Sequence, residues 1–97
     1  MNRWDIEKSN TWYRNLPWLV GCNFIPSSAI NQMEMWQAET FDMVTIEREL
    51  DWAAGLGMNT VRVYLHDLAW ESDASGFKTR LDRFLALCAK IGIRPIL

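Results

Sequence analysis

Two stretches of this 97-residue chain repeat one rhythm 35 residues apart: Leu56-Gly57-Met58-Asn59-Thr60-Val61 and Ile91-Gly92-Ile93-Arg94-Pro95-Ile96. In each, an amphipathic run reaches a glycine, and a short β-rich apolar run follows. Glycine accepts the left-handed conformation that ends a helix without a Cβ penalty. Helix, glycine and buried strand in succession is the pattern of parallel βα units, whose crossovers are right-handed. That repeat removes all-α and antiparallel all-β folds from consideration.

The remaining elements follow from this frame. Residues 1–17 are polar with scattered aromatics and read as an N-terminal lead-in covering one end of the domain. The run Trp18 to Phe24, bounded by Pro17 and Pro26, reads as a first buried strand. Residues 25–41 read as a long irregular connection, of the kind that is often functional. Asp42 is placed to cap a helix whose core side is Ile46, Leu50 and Ala53, closed by Leu56 and stopped by Gly57. Glu47, Arg48, Glu49 and Asp51 fall mostly on its wet side. A second strand covers Asn59 to Leu65, and a second loop runs from His66 to about Ser75. A second helix from Gly76 to Lys90 turns Phe77, Leu81, Phe84, Leu85 and Cys88 to one side, and a third strand starts at Ile93.

The order β-α-β-α-β suits either a doubly wound sheet or a (β/α)₈ barrel. A dinucleotide fold calls for a glycine-rich turn after its first strand, but here Asn23-Phe24-Ile25-Pro26-Ser27-Ser28 follows, with neither GxGxxG nor a Walker pattern. The expectation is the N-terminal third of a (β/α)₈ barrel, with residues 18–97 forming two and a half βα units. A parallel sheet needs helices on its faces, so a third strand with nothing after it points to truncation. Exposed strand edges would then favour self-association of the fragment.

Composition narrows the function classes. A net charge of −2 and no run of like charges give no electrostatic basis for nucleic-acid binding. No apolar run approaches the ~20 residues of a membrane helix, and Met1–Lys8 lacks the apolar core of a signal peptide. The expected setting is cytoplasmic, away from membranes. With His66 the only histidine and no close cysteine spacing, no metal or other cofactor is expected. Cys22 and Cys88 read as two buried free thiols, with a disulfide as the alternative.

One residue stands out chemically. Alternation along the second strand puts Val61, Val63 and Leu65 on one side and Arg62 and Tyr64 on the other. Arg62 would face the barrel interior near the strand's C-terminal end, where barrel enzymes keep their active sites. A guanidinium there calls for an anionic partner, either a carboxylate beyond Leu97 or a loop acid such as Asp67.

The segments from Trp18 through Gly21-Cys22-Asn23-Phe24-Ile25-Pro26 to Asn31-Gln32-Met33-Glu34-Met35-Trp36-Gln37, and from Asn59 through Arg62-Val63-Tyr64-Leu65 to His66-Asp67-Leu68, resemble bacterial clan A, family-5-like glycoside hydrolases of the cellulase or xylanase type. The resemblance covers residues 12–97. It implies a retaining β-glycosidase or β-glycanase acting without cofactor on plant-type poly- or oligosaccharide. In such enzymes an arginine at the end of the second strand hydrogen-bonds the nucleophilic glutamate, and Arg62 matches that position. A neighbouring cation keeps such a carboxylate ionised. The resemblance puts the acid/base glutamate after strand four and the nucleophile after strand seven, so this chain by itself is expected to be inactive.

A retaining pair stands ~5–5.5 Å apart, and no spacing makes Glu34, Glu39, Asp67 or Glu71 face one another in that way. Trp36 and Trp70 lie in the first two strand-to-helix loops, where an indole either stacks on a sugar or packs over the barrel rim. Asn23, His66 and Asp67 are placed to hydrogen-bond sugar hydroxyls; equally, Asn23 fixes the turn after its strand and His66 is a satisfied rim residue. Two rival functions are a non-catalytic sugar-binding or scaffold piece and a different barrel enzyme. The second of these calls for a strand lysine or a phosphate loop, and neither is seen.

Overall fold

The computed structural model describes residues 2–97. Among them are five helices and three short strands, in the order α1 (Ile6–Arg14), β1 (Gly21–Asn23), α2 (Gln32–Trp36), α3 (Met43–Gly55), β2 (Thr60–Arg62), α4 (Asp67–Ser72), α5 (Ala74–Ile91) and β3 (Arg94–Ile96). The strands form one parallel sheet in the order β1-β2-β3. The mixed α/β class and the parallel sheet expected from the repeat are present.

Helices cover one face of the sheet. Val61, Val63 and Ile93 point to that side and are buried against Ile46 and Leu50 of α3 and Phe84, Leu87 and Cys88 of α5. Each such aliphatic side chain contributes about 1.5–3 kcal/mol by leaving water. Period-two alternation turns Asn23, Arg62, Tyr64, Arg94 and Ile96 to the other face, where all five are exposed. The molecule is accordingly a slab of 43 × 35 × 19 Å. Its radius of gyration is 14.7 Å, against about 12.5 Å for a compact chain of this length.

Helix ends follow their local chemistry. Asp42 caps α3, accepting from Thr45 N at 3.1 Å and Thr45 Oγ1 at 2.6 Å. Gly57 and Gly92 both take φ of +92°, as the repeat requires. Leu56, expected in the core, is 78% exposed. Ten residues beyond Ile46, it is turned about 80° off the buried stripe at 100° per residue.

Other expectations are corrected. The lead-in contains α1, capped by Asp5, and this helix buries none of its residues. The first strand begins at Gly21 rather than Trp18, which is 88% exposed. The reason lies in Asn59, whose amide accepts from Val20 N at 2.8 Å and donates to Trp18 O at 2.9 Å, substituting for ladder bonds. The 25–41 connection holds α2, where Asn31 Oδ1 accepts from Glu34 N at 2.9 Å and Glu34 Oε2 accepts from Ile30 N at 2.8 Å. The 66–75 loop is largely α4, and Asp73 starts α5 two residues early by accepting from Gly76 N at 3.1 Å.

Both cysteines are free, but only Cys88 is buried. Cys22 is exposed because β1 is an edge strand, and its Sγ lies 3.8 Å from Met58 Sδ. Among the described residues no helix is long and apolar enough to cross a membrane.

Candidate functional site

The parallel register sets Asn23 directly beside Arg62 at the C-terminal ends of β1 and β2. Both side chains lie on the uncovered face, and Arg62 Nε donates to Asn23 Oδ1 at 2.9 Å. The guanidinium carbon lies 5.1 Å from the centroid of the Tyr64 ring, within cation–π range. Among the described residues no hydrogen bond or ion pair engages its Nη groups. Arg62 is exposed, not buried as its strand position suggested, and so are Asn23, Tyr64, Arg94 and Ile96 beside it, since no described residue buries this face. Its partner is an amide rather than Asp67, which had been a candidate.

His66 and Asp67 come together just beyond the same strand. His66 is the N-cap of α4, and its Nδ1 accepts from Leu68 N at 3.1 Å. Asp67 Oδ1 shares that donor at 3.0 Å and lies 3.2 Å from Nδ1. His66 Nδ1 and Asp67 Oδ1 thus converge on one N–H at the start of α4. The Leu68 N–H satisfies His66 Nδ1, as the reading of a satisfied residue has it, and among the described residues nothing engages Nε2.

Trp36 is not a sugar platform. Its side chain is fully buried, its Nε1 donates to Tyr64 O at 2.8 Å, and Phe41, Phe77 and Phe84 surround the ring with centroids 5.4–6.2 Å away. The helix that sequence reasoning missed, α2, carries it inward. Trp70 differs: it is 49% exposed and meets Phe77 edge-on at 6.0 Å. About half of the Trp70 surface thus remains open to solvent.

Arg80 was also missed. It is buried, its Nε donates to Trp36 O, and its Nη2 lies 3.3 Å from Asp73 Oδ2. It fastens α5 to the end of α2 and is structural. Its signal in the sequence is slight, since Arg80 lies three and four residues from Phe77 and Phe84 on the buried stripe. Glu34 is likewise committed to a cap and Glu49 to Ser27 N at 2.7 Å.

Two surface concavities lie away from the strand ends. One, of about 450 Å³, is lined by Tyr13, Leu16, Pro17 and Trp18, and another of the same size by Trp4, Lys8 and Trp12. Both are shaped by the α1 region and contain none of the residues above. Among the described residues no three of His, Cys, Asp and Glu gather as a metal site would require. Comparison with protein-family models, curated proteins and solved structures finds no match.

Proposed function

We propose that this chain forms the first βα units of a (β/α)₈-barrel glycoside hydrolase, a retaining β-glycosidase or β-glycanase, in which Arg62 orients the nucleophilic carboxylate. The reading rests on the resemblance of the first two strand-to-loop segments to that family. The observation that best supports it is the placement of Arg62. It sits at the C-terminal end of its strand, on the face without helices, with its Nη groups unengaged. In a closed barrel that face is the interior, and strand C-termini carry the active site. A guanidinium offered there binds a carboxylate through two parallel N–H bonds and lowers its pKa.

Around it, Asn23, His66 Nε2, Asp67 and the half-exposed Trp70 form the glycone side of the cleft, with carbohydrate as the partner. The two glutamates are supplied by strands beyond those described, so the 97-residue chain alone is inactive. The test is the reading frame downstream of Leu97 and the activity of its product on aryl β-glycosides and β-glucans. An Asn-Glu after a fourth strand, a Glu after a seventh, and hydrolysis lost in Arg62→Met support the proposal. A stop codon at that point, or a product that cleaves none of these substrates, overturns it.

A further inference from the structure

The contact between Asn23 and Arg62 carries more than sugar recognition. We infer that Asn23 is a positioning residue for Arg62: it fixes the guanidinium through Nε so that the two Nη groups form a preset fork for a planar oxyanion. The inference rests on the proposed function only for the identity of that anion, the nucleophilic carboxylate.

Three observations carry it. The register places Asn23 and Arg62 as direct neighbours, about 4.8 Å apart across the sheet, which is the separation a side chain as short as asparagine can bridge to Nε. A slip of one residue would send one of them to the opposite face. Second, Nε–H donates to Oδ1 at 2.9 Å, and the Tyr64 ring supports the guanidinium 5.1 Å from its centroid. One contact fixes the rotation of the plane and the other its tilt, so ordering the fork costs less when an anion arrives.

Third, the acceptor is an amide. An aspartate at this position would hold Nε equally well but would neutralise the cation as an ion pair, leaving little attraction for a second carboxylate. Asparagine holds the group without discharging it. This role occupies Oδ1, the atom through which Asn23 would otherwise accept from a sugar hydroxyl.

Side-chain NMR of the chain as it stands tests the assignment, with formate as the anion probe and chloride at equal ionic strength as the control. In the wild type, Arg62 Nε–H should exchange with solvent at least tenfold more slowly than that of Arg94, and formate should shift the Arg62 resonances saturably. Asn23→Ala should remove the protection and weaken formate binding threefold or more. Asn23→Asp should keep the protection and abolish the formate response. Backbone amide spectra report whether each variant is folded. Tyr64→Leu, which retains the acceptor, serves as a second variant and should keep the protection while weakening formate binding. Unprotected Nε–H in the wild type, or formate binding unchanged in Asn23→Ala or Asn23→Asp, overturns the inference. Failure of the hydrolase proposal alone would leave these NMR results intact and change only what the fork is for.

Discussion

Trp36 Nε1 donates to the backbone carbonyl of Tyr64 at 2.8 Å, so an indole from the first long connection closes off the end of the second strand's extension. The ring is fully buried among Phe41, Phe77 and Phe84. Truncation of a core aromatic costs about 3–5 kcal/mol, a large share of the ~5–15 kcal/mol that holds a domain together. Trp36→Ala should lower the urea midpoint by that measure or leave the chain unfolded. Trp36→Phe, which keeps most of the volume but orphans the carbonyl, should cost about 1–3 kcal/mol. A variant with unchanged midpoint would contradict the core assignment.

The two arginines of interest should respond in opposite ways. Arg62 is exposed and bonded to one amide, so Arg62→Ala should change stability by no more than about 0.5 kcal/mol. Arg80 is buried, and its loss strips the Trp36 carbonyl of its donor and Asp73 of its cation. Asp73 is nearly half exposed, so solvent replaces part of that interaction. Arg80→Met should therefore cost about 1–3 kcal/mol. Paired urea titrations distinguish the two, and equal losses would mean that Arg62 is structural.

These contrasts show which parts of the molecule local sequence encodes. The repeat at Gly57 and Gly92 marks both helix stops because only backbone conformation is at issue there, and both glycines do take positive φ. The core sides of α3 and α5 are legible for a similar reason, being set by a helical period. The start of β1 was not legible. The bonds that displace Trp18–Val20 from the ladder come from Asn59, some forty residues away, and no local pattern reports them. Helix α2 was legible in principle, since Asn31 followed three residues later by Glu34 is a capping signature. Its five residues are too few to show a hydrophobic period. The face to which Arg62 turns was legible from alternation, whereas its link to Asn23 depends on strand register, which a single sequence does not reveal.

The cysteines offer a chemical check on the packing. Burial raises the Cys88 thiol to about 11, from an ordinary value of 9.0, whereas Cys22 is exposed. The thiolate is the reactive form. At pH 8 a thiol reagent should therefore label one cysteine rapidly, and mass spectrometry should place the label on Cys22. Cys88 should react only at the rate of unfolding. Because its folded pKa is raised, an unfolded chain loses this proton first as pH rises through about 9, and stability should fall between there and about 11. Cys88→Ala should remove that part of the alkaline slope. Rapid labelling of Cys88 in the native chain would contradict its burial.

Acid should act on the other end of the same packing, through Asp42. Its carboxylate accepts from the Thr45 hydroxyl and the Thr45 backbone N–H, and these bonds hold its pKa below the ordinary 3.8 against an opposing effect of desolvation, with lesser help from Ser28 and Arg48. A folded pKa below the unfolded one means that the stabilisation is complete above the unfolded value. It is lost as pH falls through the folded one. Urea midpoints followed downward from pH 5 should therefore decline more steeply in the wild type than in Asp42→Asn. The amide in that variant keeps an acceptor for the Thr45 N–H but has no proton to take up. Asp42→Ala should be less stable than both at pH 7, because an uncapped α3 leaves that N–H unpaired. Since α3 carries Ile46 and Leu50 into the core beneath β2, fraying at Asp42 should also loosen the strand that presents Arg62. If the acid slopes of wild type and Asp42→Asn coincide, the cap does not set the acid limit, and α3 is held by its buried face alone.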